Sequence, residues 1–343
     1  MKEASENKPT NSKRQRRRSR IILVAFGVTC SLLMSELLLR CTPRFKPPPH
    51  PIVCRWPTLF QQWDPYGYRL WPSRTLSHHW PSNSPSIQVV TNQHGFRSRR
   101  DFYEPDQRKR VLVLGDSQVF GLGVQQEDRF TNKMESMNPK WRVDNMGMTA
   151  YGTDLMLMAL EEVGLDTHPD VVLVCIFTDD FYRVRSRYAG VGFEIPRFQL
   201  EGGQLKLVPY PERRIWDSLH LVQLLRKAKW NWTSAEWDLN EAILRQFIQK
   251  ANQHDFRLGF VFLPGPMNLE NDQRRRAWLK DFVNRNHHML LDLTPAIHEA
   301  GDQAFIPHDV HFNALGNQII AEQLELFTKK LLEDCHSPSG NPH

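Results

Sequence analysis

After residue 110 the chain alternates short apolar runs with stretches of helical period. The runs are Val111–Leu114, Trp141–Asp144, Val171–Phe177, Arg257–Leu263 and Met289–Leu293. Four of them are nearly continuous in Val, Leu, Ile, Phe and Met, and three of these meet Gly, Asp or Pro at one end, which predicts strands buried on both faces. Between and after them, residues near Glu127–Met137, Thr153–Val163, Ser234–His254, Asn271–Asn286 and Ala314–Leu332 place apolar side chains at helical spacing. Five such β/α units predict an α/β domain over residues 111–333, with a five-stranded parallel sheet and helices on both faces. The rhythm breaks over residues 181–233, a stretch rich in Arg, Tyr, Trp, Gly and Pro that follows a strand's carboxyl end. It predicts a lid-like insertion.

Upstream the pattern differs. Ile21 to Leu39 is 19 mostly apolar residues. At ~1.5 Å per residue such a helix approaches the ~30 Å hydrocarbon thickness of a bilayer. Glu36 falls near its outer end, within reach of Arg40 or the headgroups. Residues 40–57 are proline-rich and predict a stiff spacer. Residues 58–110 carry turns and aromatics, among them Trp63, Tyr66, Tyr68 and Trp71, and predict short strands and loops packed on the main domain. Residues 334–343 form a polar tail.

Charge changes this picture in one respect. The net charge is +6, and residues 1–20 hold eight Lys/Arg against two Glu, so the tail accounts for all of it. The remainder is neutral and has no bulk electrostatic reason to bind nucleic acid. A basic tail ahead of an apolar helix predicts a cytoplasmic N-terminus and a single span, with the folded domain periplasmic or extracellular. No small-x-small cleavage site follows the helix. Of the five cysteines, Cys30 lies in the span and Cys175 in a predicted core strand; Cys41, Cys54 and Cys335 are free to pair outside the cytoplasm. No Cys/His spacing resembles a metal site, and no cofactor is expected. His78-His79, His287-His288 and Arg274-Arg275-Arg276 read as solvated surface.

The chemistry-bearing residues fall where strands end or the last helix begins. They are Gly115-Asp116-Ser117, Asn145-Met146-Gly147, Thr178-Asp179-Asp180 and Asp309-Val310-His311. In a parallel sheet these segments share the carboxyl edge, where open α/β folds bind ligands. A serine hydroxyl there is a nucleophile only with a base to take its proton and a partner to orient that base. Ser117, His311 and Asp309 are those residue types; His308 is a second candidate base.

This set resembles the SGNH (GDS-type) hydrolases, a family of serine esterases, lipases and carbohydrate O-deacetylases on a flavodoxin-like sheet. The resemblance spans Val111 to about Leu332. It implies Ser117 as nucleophile, His311 as base and Asp309 as its orienter, with the Asp-x-His spacing that part of the family uses. It also implies an oxyanion hole from the Ser117 backbone N–H, Gly147 and an asparagine after the third strand. Here that asparagine is Asp179. A carboxylate donates no hydrogen bond. Either Asp179 is protonated, or Thr178 or Asn145 supplies the donor, or the protein is a weakly active or non-catalytic module that binds an envelope glycan or a protein. The segments Asp64–Arg69 and Asn92–Arg97 resemble the region ahead of the catalytic domain in membrane-anchored bacterial members. The resemblance thus implies an ester substrate, an acylated glycan or lipid, cleaved by water or transferred to a glycan hydroxyl. Tyr182, Arg183, Arg185, Arg187, Tyr188 and Trp216 of the insertion would suit a glycan, and would equally suit plain packing.

Overall fold

A computed structural model describes residues 10–42, 58–64, 67–80, 86–186, 191, 193, 195–208, 219–222, 224, 235–266 and 270–333. The chain divides into two compact units, Met1–Pro51 with Glu212–Thr233, and Ile52–Pro211 with Ser234–His343.

The smaller unit contains the helix Thr10–Cys41 and helical residues at 220–222 and 224. Its segment Gln15–Cys41 is long and apolar enough to cross a membrane, and Ile21, Leu23, Phe26, Leu33 and Leu38 are exposed around it. Glu36 accepts a hydrogen bond from Arg40 Nε at 2.9 Å. It also accepts the backbone N–H groups of His220 at 3.0 Å and Leu221 at 2.9 Å. Cys30 and Cys41 are free thiols; Cys54 and Cys335 lie outside the described residues.

In the larger unit, four short strands precede the main sheet. These are β1 (Phe60–Trp63), β2 (Gly67–Leu70), β3 (Thr75–His79) and β4 (Ser86–Val90), paired as antiparallel β1–β2 and β3–β4. The main strands are β5 (Lys109–Gly115), β6 (Trp141–Gly147), β7 (Val171–Phe177), β10 (Arg257–Leu263) and β11 (Met289–Asp292), and the pair β8 (Arg197–Glu201) and β9 (Gln204–Val208) forms an antiparallel hairpin. The five main strands form one parallel sheet in the order β11-β10-β7-β5-β6. Counted among themselves, that is the flavodoxin-like order 2-1-3-4-5. Its switch point, where ligands bind, lies between β5 and β7 at their carboxyl ends.

Period-2 alternation assigns each strand's side chains to two cores. Leu112, Leu114, Val172, Val174, Phe260 and Phe262 join the core beneath the helices Thr153–Ala159, Ala235–His254 and Glu270–Arg285. Val111, Val113, Val171, Leu173 and Val261 join the core beneath Phe130–Met137, Thr294–Ala300 and Ala314–Glu333. Every residue of β6 and β7 is buried; β7 is apolar throughout, and in β6 the buried Arg142 pairs with Asp144 at 3.1 Å.

Three departures from the sequence pattern have local causes. The helix expected from Glu127 is interrupted at Arg129, whose backbone is extended. Its buried guanidinium donates to Arg97 O at 2.8 Å and Asn132 Oδ1 at 3.0 Å. His78, expected on the surface, is buried. The stretch just after β7 is core: Phe181 and Val184 are buried, and Asp180–Arg183 is a short helix.

The residues ahead of β5 are fused to the main domain. Tyr68, Leu70, Val89, Phe96 and Phe102 are buried in the first core. Arg97 is fully buried and donates to four carbonyls, Gln88 at 3.0 Å, Phe120 at 3.2 Å, Gly121 at 2.7 Å and Val124 at 2.9 Å. Burial pulls its pKa down to about 10. This guanidinium ties the upstream strands to the loop that follows Ser117.

Candidate active site

β5 ends at Gly115, and Asp116 caps the one-turn helix Ser117–Phe120 by accepting the Gln118 N–H at 2.8 Å. Gly121, at φ +74°, closes the turn in the left-handed region that a glycine tolerates. Ser117 therefore sits at the first helical position, at the β5/β7 switch point. On the other side, Asn313 caps the helix Ala314–Glu333 by accepting from Leu315 N at 2.9 Å and Gly316 N at 3.1 Å. That cap fixes the loop carrying Asp309 and His311.

The two ends meet. His311 Nε2 lies 2.8 Å from Ser117 Oγ, and both residues are buried, at 8% and 5% exposure. His311 Nδ1 is in close contact with Asp309 Oδ1, which also accepts the His311 backbone N–H at 2.8 Å. An ionised Asp309 requires a proton on Nδ1. Nε2 is then the acceptor, aimed at the Ser117 hydroxyl. Burial alone would raise the Asp309 pKa, but the His311 hydrogen bonds and charge and the Trp80 indole N–H outweigh it and hold the carboxyl below its ordinary range. His308 is exposed, so His311 is the histidine at the serine.

Two supports of this dyad carry no signature in the sequence. Gln118, next to the serine, donates through Nε2 to Val310 O at 2.9 Å and accepts the Phe312 N–H through Oε1 at 3.2 Å. One amide thus grips both neighbours of His311. Below the serine, Arg183 Nη1 donates to Asp116 Oδ2 at 2.8 Å and Tyr151 O at 3.1 Å, and also pairs with Asp180. Asp180 accepts the Phe177 N–H at 2.8 Å. Burial, with the Asp116 charge adding to it, raises the Asp180 pKa well above normal, and Arg183 opposes the shift. Arg183 is therefore a half-buried counterion to Asp116 and Asp180 rather than a residue facing a glycan; Arg187, Tyr188 and Trp216 lie outside the described residues.

The donors expected for an oxyanion are arranged differently from the expectation. The Gly147 N–H, expected to point at the oxyanion, donates to Asn145 Oδ1 at 2.9 Å. Asn145 Nδ2 in turn donates to Val119 O at 2.6 Å and Thr131 Oγ1 at 2.9 Å, so this amide is engaged at both ends. Gly147 has a steric role, because a Cβ there would lie 2.3 Å from Phe120 N and 2.5 Å from Val119 C. Asp179 is 39% exposed, with Arg275 Nη1 3.6 Å from its carboxylate. The same guanidinium donates to Thr178 Oγ1 at 3.2 Å, leaving the buried Thr178 hydroxyl proton available as a donor. Arg275 is 13% exposed and lies over the Tyr182 ring, not on a solvated helix face. The cation beside Asp179 comes from the helix Glu270–Arg285.

If Ser117 acts on an ester and Asp179 faces the oxyanion as the resemblance implies, Arg275→Gln is expected to lower kcat about tenfold to a hundredfold by removing the cation 3.6 Å from that carboxylate. Adding Asp179→Asn is then expected to restore most of the loss. Steady-state kinetics on the two single variants and the double variant test this; additive effects would contradict the coupling.

Among the described residues, no group of His, Cys, Asp and Glu is arranged to hold a metal ion. Neither a family model nor a curated protein matches the chain. Solved structures similar to it include the esterase EstA from Pseudoalteromonas sp., at 12% identity and TM-score 0.43, covering 66% of this chain and 100% of that one. An acetyl-xylooligosaccharide esterase from Geobacillus Stearmophilus matches at 13% identity and TM-score 0.43, covering 68% and 97%. A member of the lipolytic G-D-S-L family from Veillonella parvula matches at 15% identity and TM-score 0.41, covering 64% and 99%.

Proposed function

We propose that the chain is a membrane-anchored serine ester hydrolase of the SGNH type, acting outside the cytoplasm on O-acyl groups of a cell-envelope glycan or lipid. The observation that carries the reading is the relay of Asp309, His311 Nε2 and Ser117 Oγ, with 2.8 Å between the last two. In the proposed reaction Ser117 Oγ attacks the ester carbonyl as its proton passes to His311 Nε2. The imidazolium, stabilised by Asp309, returns that proton to the leaving alkoxide, which departs as an alcohol and leaves an acyl-Ser117 ester. Water, deprotonated by His311, then releases the acid. The Ser117 N–H and the Thr178 hydroxyl are the donors assigned to the oxyanion. An ester's alkoxide leaves more readily than an amide's amine, which favours ester over peptide substrates.

The anchor is assigned to Ile21–Leu39, and the basic residues before it favour a cytoplasmic N-terminus. The full chain in detergent is expected to hydrolyse p-nitrophenyl acetate with saturation. A folded chain that releases no nitrophenolate above the buffer rate would overturn the reading.

A further inference from the structure

Trp80 follows β3, 229 residues before Asp309 in sequence, yet its indole Nε1 donates to Asp309 Oδ2 at 3.1 Å. The two oxygens of Asp309 are therefore divided. Oδ1 takes both the ring and the backbone N–H of His311, and Oδ2 takes Trp80. A carboxylate held through one oxygen turns about its Cβ–Cγ bond and exchanges its oxygens. Held at both, it keeps one oxygen on the imidazole. The indole ring also stands edge-on to the His311 ring, at 5.8 Å between centroids and 87° between planes. It covers the side of the Asp309–His311 pair and keeps water from competing for their hydrogen bond.

The packing around Trp80 fixes its position. Gly123, at φ +87°, lies in the loop after the Ser117 helix. A Cβ there would fall 2.4 Å from Ile306 Cδ1, 3.2 Å from Trp80 O and 3.7 Å from Trp80 Cδ1. The glycine thus brings together the loop after Ser117, the backbone of Trp80 and the loop that bears His311. Arg97 ties the same loop, through Gly121 and Val124, to β4 at Gln88, and β4 is the hydrogen-bonded partner of β3.

We propose that Trp80 is a positioning residue of the acyl-transfer site, through which the segment ahead of the sheet locks Asp309 and thereby orients His311. The proposal rests on the assignment of Ser117, His311 and Asp309 as an acyl-transfer relay. It makes residues 58–110 part of the active site and not merely a spacer between the anchor and the sheet.

The test replaces Trp80 in the full chain by Phe, which keeps an aromatic ring and loses the N–H. Benzothienylalanine, which keeps the indole shape without the donor, is the second replacement. Both are expected to lower kcat for p-nitrophenyl acetate about tenfold, the order expected when one donor to a charged group is lost. KM is expected to stay within about twofold, since the indole orients the base and does not bind substrate in this account. The proton NMR signal of His311 Nδ1–H, displaced downfield by its carboxylate partner, is expected to shift or broaden in both variants. Wild-type kcat together with an unmoved Nδ1–H signal in the benzothienylalanine protein would overturn the proposal. Should the wild type hydrolyse no ester, the hydrolase reading fails, while the Nδ1–H signal still decides whether Trp80 holds Asp309.

Discussion

Ser117→Ala is expected to lower the turnover of p-nitrophenyl acetate by about 10⁶-fold, with the melting temperature unchanged. The rate falls because no other group stands in for the lost oxygen. Among the described residues the histidine at this position is His311, whose Nε2 faces Ser117 Oγ at 2.8 Å and would be left with no hydroxyl to activate. Asp116 Oδ2, which accepts from the same hydroxyl at 3.3 Å, is held by Arg183 and is not placed as a substitute nucleophile. Stability is spared because the serine hydroxyl is not part of the scaffold. The helix cap runs from Asp116 to the Gln118 N–H, and the His311 loop is gripped by Gln118. Both survive removal of one oxygen. Ester hydrolysis and thermal unfolding, measured on the same preparation, check the two halves of the prediction. A variant that keeps a tenth of wild-type activity would remove Ser117 from the mechanism.

Gly147→Ala is expected to reduce both stability and rate. The added methyl would meet backbone atoms, Phe120 N at 2.3 Å and Val119 C at 2.5 Å, which cannot swing aside as a flexible side-chain end can. Either β6 or the Ser117–Phe120 helix must shift. Overpacking of this kind costs about 1–3 kcal/mol, and a displacement of about 1 Å at a reacting group costs on the order of a hundredfold in rate. The Asn145 side chain that links Gly147 N–H to Val119 O would be strained by the same movement. A lowered unfolding midpoint in urea together with a reduced kcat is the expected result. An unchanged midpoint with wild-type kcat would show that the contact is not as tight as described.

The expectation for Gly147 illustrates what the sequence makes legible. A glycine at the end of the second strand is visible in the pattern, and so is its nearness to Ser117. Its part in an oxyanion hole is what the resemblance implies, whereas its N–H donates to Asn145 and the closeness of Phe120 and Val119 gives it a steric role. The sheet was legible because its strands are buried on both faces and read as continuous apolar runs. That Ser117, His311 and Asp309 meet was legible because strand ends and a helix start limit where those residue types stand. Trp80, Gln118, Arg183 and Arg275 were not. Trp80 is one aromatic among many in a stretch without period, and only the fold brings it to Asp309. Gln118 is a neutral amide with no chemistry of its own. Arg183 sits where the strand–helix rhythm breaks and so reads as part of an insertion. Arg275 belongs to three consecutive arginines that suggest a solvated face. In the fold they diverge, with Arg274 over the Trp237 ring, Arg275 toward Asp179 and Arg276 paired with Asp292. The one available clue was Asp179 itself, an acid where a donor is expected.

The central claim is that Ser117 is a nucleophile activated by His311. The most direct measurement is exposure of the full chain in detergent to a fluorophosphonate, followed by peptide mapping by mass spectrometry. The account predicts a single covalent adduct on the peptide containing Ser117, formed quickly in the wild type and lost in His311→Ala. A folded wild-type chain that carries no adduct, or one modified elsewhere with Ser117 untouched, would contradict it.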